Sequence, residues 1–294
     1  MKFGAIDIGT NAARLLVGEV TKEGDHSFVK KISYTRIPLR LGEDVFDKGH
    51  ISDKKLSDFV KTIEAFKLIS EIFDVKELRA CATSAMREAS NKKHVLEKIE
   101  DKTGVEIEII SGDEEARLIF GTFFLQDFDK TASFLVIDVG GGSTEISVFE
   151  GGKKVAAKSF ELGTIRLLKE KTDKKIWKEL NTWIEENVDL ATIHQVYATG
   201  GNINKVHKIL GAQQNEQISL RKMTKLREEL AALSLEERID KFQLKPDRAD
   251  VIIPAIDIFT FILKKIKTKD FFVPKIGLSD GMIYDLYLKE MNLN

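Results

Sequence analysis

The stretch Ile137-Asp138-Val139-Gly140-Gly141-Gly142-Ser143-Thr144-Glu145-Ile146 constrains this chain more than any other. An apolar run, Phe134 to Ile137, ends on an aspartate, three glycines follow, and Val148 and Phe149 resume an apolar pattern. The order predicts a strand, a tight turn and an antiparallel strand. Consecutive glycines remove every Cβ, so the main chain of Gly140, Gly141 and Gly142 can approach an anion with its N–H groups. Asp138 repels a phosphate directly, and its position makes sense with a divalent cation or an attacking water between the two. Taken alone, the stretch also reads as a glycine hairpin with a turn-forming aspartate.

A second copy favours the anion reading. In Ile6-Asp7-Ile8-Gly9-Thr10-Asn11-Ala12-Ala13-Arg14-Leu15-Leu16-Val17, aligning Asp7 with Asp138 also aligns Gly9 with Gly140, Leu15 with Ile146 and Val17 with Val148. Two such turns half a chain apart predict a duplicated unit with two facing phosphate loops across a cleft.

The chain has 294 residues, long enough for about two domains. Its 46 Lys and Arg balance 47 Asp and Glu, a net charge of −1, so no global field selects nucleic acid or membrane. Cys81 is alone, which excludes an intrachain disulfide and fits a reducing compartment. With no leader-like start and no apolar run near the roughly 20 residues that span a bilayer, a cytoplasmic protein is expected.

Strands are predicted at 3–9, 14–20 and 27–34, then an irregular stretch from Arg36 to Gly49 broken by Pro38, Gly42 and Gly49. Its Arg36, Arg40 and Glu43 are candidates for a cleft wall or a solvated loop. A helix capped by Ser52 follows, then a strand at 77–83 running into Thr83-Ser84-Ala85-Met86-Arg87, either an anion-binding turn or a helix cap with a surface arginine. A helix near 91–102 and a strand at 105–110 come next. Ser111 and Glu114 have capping-box spacing. In that helix Glu115 borders the packed face while Glu114 points away towards solvent. Glu115 is a candidate base, although first-turn glutamates also simply favour the helix dipole.

Gln126 to Lys130 reads as a hinge. The second half repeats the first, with strands at 133–138, 144–150 and 154–161, the last two joined by Gly151-Gly152. A strand at 195–198 enters a third glycine turn, Thr199-Gly200-Gly201-Asn202, suited to a phosphate or nucleotide or to a tight strand–helix corner. Ser234 and Glu237 form a capping-box pair. Residues 247–267 predict one long apolar helix that Pro254 could kink. A strand at 271–277 precedes a last helix. Trp177 and Trp183 read as packing anchors. The five histidines lack ligand spacing, and no Gly-x-Ser-x-Gly or paired-cysteine motif supports a nucleophilic hydrolase.

The doubled strand–helix order with glycine turns is similar to the actin, Hsp70 and sugar-kinase superfamily. Within it the chain resembles the exopolyphosphatase and guanosine pentaphosphate phosphohydrolase (Ppx/GppA) family. The resemblance rests on Asp7-Ile8-Gly9-Thr10-Asn11, Thr83 to Arg87, Ser111 to Leu118, Asp138 to Glu145, Leu162-Gly163-Thr164-Ile165-Arg166-Leu167, Thr199 to Gly201, Arg248-Ala249-Asp250 and Gly277-Leu278-Ser279-Asp280-Gly281. It implies an α/β protein of two ribonuclease-H-like (actin-like ATPase) domains flanking a central cleft. The expected boundaries are 1–126 and 127–280, with the helix at 281–294 packing back on the first domain.

It also implies hydrolysis of a terminal phosphoanhydride of polyphosphate or guanosine pentaphosphate with Mg²⁺. The family's catalytic glutamate falls on Glu115, with Asp138 and Glu145 as acidic partners. The metal is expected on Asp138, Glu145 and Asp7. Phosphates are expected on Gly9, Thr10, Asn11, Arg14, Ser84, Arg87, Gly140, Gly141, Gly142, Ser143, Thr199, Gly200 and Gly201. Thr10-Asn11-Ala12 replaces the common Ser-Asn-Ser, Asn202 stands where a threonine is common, and 294 residues leave out the helical C-terminal domains of longer members. Short chains or a nucleotide are therefore the expected substrates, and a homodimer is one assembly left open. Two alternatives remain, a small-molecule kinase of the same superfamily and a non-catalytic polyphosphate or alarmone sensor.

Overall fold

The computed structural model describes residues 1–23, 26–122, 131–213 and 215–291. The chain divides into two compact units, Met1–Phe128 with Ile276–Asn294, and Asp129–Lys275. The hinge expected at Gln126 to Lys130 lies outside the described residues.

In chain order the first unit contains β1 (Phe3–Ile8), β2 (Ala13–Glu23), β3 (His26–Ile37), α1 (Leu41–Lys48), α2 (Asp53–Ile72), β4 (Glu77–Ala82), α3 (Ser84–Glu88), α4 (Lys92–Thr103), β5 (Glu108–Ile109) and α5 (Gly112–Gly121). The second contains β6 (Phe134–Val139), β7 (Thr144–Glu150), β8 (Lys153–Phe160), α6 (Thr164–Leu168), α7 (Lys175–Asn187), β9 (Gln195–Thr199), α8 (Gly201–Ile209), β10 (Ile218–Ser219), α9 (Leu220–Ala231), α10 (Leu235–Phe242), α11 (Pro246–Ala249), α12 (Ile252–Lys265) and β11 (Asp270–Phe271). Helix α13 (Leu278–Glu290) returns to the first unit, where it packs on α5, β1 and β2.

The first sheet runs β3-β2-β1-β4-β5, with β1 antiparallel to β2 and parallel to β4. The second runs β8-β7-β6-β9 with the same senses, so it repeats the first four places. This is the ribonuclease-H-like α/β architecture expected of both halves. Strand β1 is buried along its whole length, as a central strand covered on both faces should be. The β7–β8 hairpin turns at Gly151 and Gly152, both at positive φ, the geometry a two-residue turn needs.

Three expectations change. The stretch after Arg36 is ordered: β3 reaches Ile37, and α1 fits between Pro38 and Gly49, whose φ of 75° closes the helix as a left-handed cap. The apolar run at 247–267 is two helices, broken at Asp250–Val251. Pro254 sits in the first turn of α12, where an amide has no intrahelical acceptor, so it introduces no kink there. The expected strand at 271–277 shrinks to β11 plus one parallel bridge, Tyr197 to Phe272, in the place the fifth strand holds in the first sheet.

Other readings hold. The capping box Ser234–Glu237 is formed in both directions. Trp177 packs edge-on against Phe261, and Trp183 against Phe160. Cys81 is buried in β4, where burial pushes its thiol up to about 12, so it is no nucleophile. No helix among the described residues is long and apolar enough to cross a membrane.

Candidate functional site

In the first unit the candidate residues stand where strands end. The amide of Thr83 donates to Ile8 O at 3.1 Å and that of Ile110 to Ala82 O at 3.0 Å, which sets the loops after β1, β4 and β5 side by side. Open α/β sheets place their ligand sites at this edge. The Gly9-Thr10-Asn11 turn is closed by Gly9 N–H donating to Ala12 O at 3.1 Å. Asp7 and Arg14 are register partners on β1 and β2, and Arg14 Nη1 lies 2.7 Å from Asp7 Oδ2. The residue expected to bind metal and one expected to bind phosphate thus neutralise each other. Ser84 is buried and its hydroxyl donates to Glu88 at 3.2 Å.

Arg87 donates from Nη1 to Ile110 O at 2.8 Å, and the same nitrogen lies 3.5 Å from Glu115 Oε2. Glu115 is positioned by α5, which starts because Ser111 Oγ accepts from Glu114 N–H at 3.1 Å. The reciprocal half of the capping box is absent. Glu114 is not the solvated residue that helix geometry suggested. Its carboxylate takes a fork from Arg117 at 2.7 and 2.8 Å, and Arg117 in turn reaches Asp285 at 3.0 Å. Arg79 reaches Asp285 at 2.9 Å and ties β4 to α13. Sequence reasoning missed this network because its members lie up to 206 residues apart. Gly281 of α13 packs so closely that a Cβ there would overlap the carbonyl of Leu118 on α5. Arg40 and Glu43 pair with each other at 2.7 Å.

In the second unit Asp138 and Glu145 are register partners on β6 and β7, and each offers a carboxylate oxygen within 4.8 Å of the other's. Glu145 is 5% exposed and accepts from Ser159 Oγ at 2.7 Å. Ser159 was not singled out from the sequence. Counting back from the Gly151-Gly152 turn would set Lys158 opposite Glu145, and a register shift between Val148 and Phe149 that the sequence does not display brings Ser159 there instead.

Between the two acids lies the triple-glycine loop, closed by Gly140 N–H donating to Ser143 O at 2.9 Å. The amides of Gly141, Gly142 and Ser143 have no hydrogen-bond acceptor among the described residues. Their carbonyl side is occupied by α6, so what the loop offers a ligand is its N–H groups. Thr199, opposite Asp138 on β9, leads into Gly200 at φ 114°. A Cβ on Gly200 would lie 2.9 Å from Asp138 Oδ1 and 2.8 Å from Val139 O, so only glycine lets the third turn close on the carboxylate. Gly201 O accepts from Arg248 at 2.9 Å. Two adjacent carboxylates are hard oxygen donors, and with uncommitted amides beside them they fit a divalent cation carrying phosphate.

The profile of the Ppx/GppA phosphatase family matches residues 19–290. The chain belongs to the Ppx/GppA phosphatase family. Among curated relatives of this Ppx/GppA chain, a bifunctional 3-dehydroquinate synthase/phosphatase of Fusobacterium nucleatum is 30% identical over 92% of this chain and 44% of its own length. Exopolyphosphatase 1 of Mycobacterium bovis is 34% identical over 58% of this chain and 48% of its own. The chain therefore spans about half the length of the curated relatives it matches. Among solved structures, an exopolyphosphatase from Cytophaga hutchinsonii superposes with a TM-score of 0.82 at 24% identity, covering 97% of both chains. The Aquifex aeolicus Ppx/GppA family member superposes with a TM-score of 0.76 at 23% identity, over 99% of this chain and 98% of that one. Both share the fold.

Proposed function

We propose that this Ppx/GppA protein is an exopolyphosphatase that removes the terminal phosphate of inorganic polyphosphate, short chains included, with guanosine pentaphosphate as a second substrate of the same chemistry. The observation that carries the reading is the acid pair Asp138–Glu145 beside the uncommitted amides of Gly141, Gly142 and Ser143. A pure anion receptor has no use for two carboxylates next to its amides, whereas phosphoanhydride hydrolysis does.

In this reading Glu115 orients a water and takes its proton as the oxygen attacks the terminal phosphorus. The bridging P–O bond breaks, releasing phosphate and a chain one unit shorter. Arg87, beside Glu115, pairs with a phosphate oxygen. The amides of Gly141 to Ser143 bind phosphate oxygens, with the Gly9–Asn11 turn and Ser84 as further contacts. Asp138 and Glu145 would hold Mg²⁺, which when bound neutralises charge on the phosphates. Asp7 has its oxygen on Arg14, and so the cation is assigned to the second unit's pair.

The test is phosphate release by the purified protein from short polyphosphate, long polyphosphate and guanosine pentaphosphate, with Mg²⁺ and with chelator. Release from polyphosphate that stops on chelation is expected. Binding of all three with no release under any divalent cation would overturn the reading in favour of a sensor.

A further inference from the structure

The helix that follows the third strand does the same thing in both units: its N-terminal end holds the carbonyls of the glycine turn. In the first unit Gly42 N–H donates to Thr10 O at 3.0 Å and Arg40 N–H to Asn11 O at 2.9 Å. In the second, Thr164 N–H donates to Gly140 O at 3.1 Å and Ile165 N–H to Gly141 O at 2.8 Å. The alignment that pairs Asp7 with Asp138 also pairs Thr10 with Gly141 and Asn11 with Gly142, so the same two carbonyls are held in each repeat. The donors differ at the second of them. Asn11 O is met by a backbone amide, and Arg40 takes a left-handed φ of 51° there. Gly142 O is met by a side chain, Arg166 Nε, at 3.0 Å.

We infer that Arg166 is a positioning residue for phosphate binding: it fixes the triple-glycine loop with its carbonyls turned to α6 and its amides presented to the ligand. This rests on the phosphate reading above. Arg166 is only 6% exposed, and a guanidinium is costly to bury unless its hydrogen bonds do something for the fold or the site. Three successive glycines have the largest backbone entropy of any tripeptide, so this loop needs an external restraint to keep one conformation. The contact leaves no slack, since a Cβ on Gly163 would overlap Gly141 O and the Gly142 backbone. Arg166 and Gly163 thus set the loop from one side, one by a directed bond and one by close approach.

The experiment uses the full chain with R166Q, R166K and G163A. Thermal melts establish that each variant folds, and ¹⁵N relaxation of the Gly141, Gly142 and Ser143 amides reads loop order independently of turnover. R166Q is expected to lower the order of these amides and to raise KM for polyphosphate about tenfold while kcat changes little, the signature of lost binding geometry. R166K keeps the charge without the fixed fork and falls between R166Q and wild type. G163A displaces the same loop by steric contact and gives the same KM-weighted loss. Folded R166Q and G163A with wild-type loop order and wild-type KM would overturn the inference. A wild-type protein that binds no phosphate would overturn the functional reading instead, and the relaxation data would still decide the clamp.

Discussion

Asp138 faces Glu145 across the β6–β7 ladder, and at the equivalent place in the first unit Asp7 faces Arg14. One register position in a duplicated unit thus holds two opposite electrostatic solutions. Asp7 and Arg14 cancel within 2.7 Å, whereas Asp138 and Glu145 place two acidic groups side by side. In the proposed mechanism the first repeat supplies Glu115 and Arg87, and the second supplies the two acids that would hold the metal.

Removing the hydroxyl that holds Glu145 tests that assignment. Ser159 Oγ donates to Glu145 Oε1 at 2.7 Å and fixes the orientation of the carboxylate. S159A is expected to weaken Mg²⁺ affinity by roughly tenfold, at the lower end for partners of metal ligands. The check is the Mg²⁺ concentration for half-maximal phosphate release. An unchanged midpoint would contradict the pairing's role.

Gly200 is the residue through which the third turn reaches the acid pair. At φ 114° an alanine is strained, and its methyl would lie 2.9 Å from Asp138 Oδ1. G200A is expected to destabilise the fold by roughly 1–3 kcal/mol, read by urea denaturation, and to lower activity beyond what lost stability explains. Wild-type midpoint and wild-type turnover together would show that the turn has room to spare.

Gly281 allows α13 to lie against α5, the helix that presents Glu115. A methyl there must push the Leu118 carbonyl, so G281A is expected to destabilise by roughly 1–3 kcal/mol and to lower kcat through the shift of α5. The comparison is with G151A on the β7–β8 hairpin, where a Cβ meets nothing within 4 Å but a φ of 54° strains alanine, so it reports destabilisation without a push on α5. Equal kcat in the two variants would separate α13 packing from catalysis.

Glu114 gives a pH-dependent prediction. Its carboxyl is held below the ordinary 4.5 by the hydrogen bond from Arg117, with burial opposing and the charges of Arg117 and Arg79 assisting. A depressed folded-state value means the contribution is whole above about pH 4.5 and fades as pH falls through the lowered value. E114Q should therefore melt below wild type at neutral pH, and the gap in Tm should close as the pH is taken below 4.5 through the lowered value. Parallel Tm curves across that range would contradict it.

What the sequence displayed was local. The strand–glycine–strand turns, the Ser234 capping box and the Gly151-Gly152 hairpin each declare themselves within ten residues, and the structure forms them. Helix α1 was hidden because Pro38, Gly42 and Gly49 look like breakers, although Pro38 stands before the helix and Gly49 ends it. The stretch 247–267 opens on Asp247-Arg248-Ala249-Asp250 and runs straight into apolar residues from Val251, and nothing in that pattern marks the break at Asp250. Ser159 on Glu145, Arg166 on Gly142 and Arg79 on Asp285 join separate elements, and no periodicity carries that information. Glu115 and Arg87 were each singled out from the sequence, but their approach to 3.5 Å joins separate elements and shows only in the structure.

The central claim is that Glu115 activates the water, and E115Q tests it most directly. Glutamine keeps the shape and removes the proton acceptor, so phosphate release from polyphosphate is expected to fall between roughly 100-fold and 10,000-fold, with substrate binding retained. Wild-type release by a folded E115Q protein would contradict the mechanism and send the search for a base elsewhere.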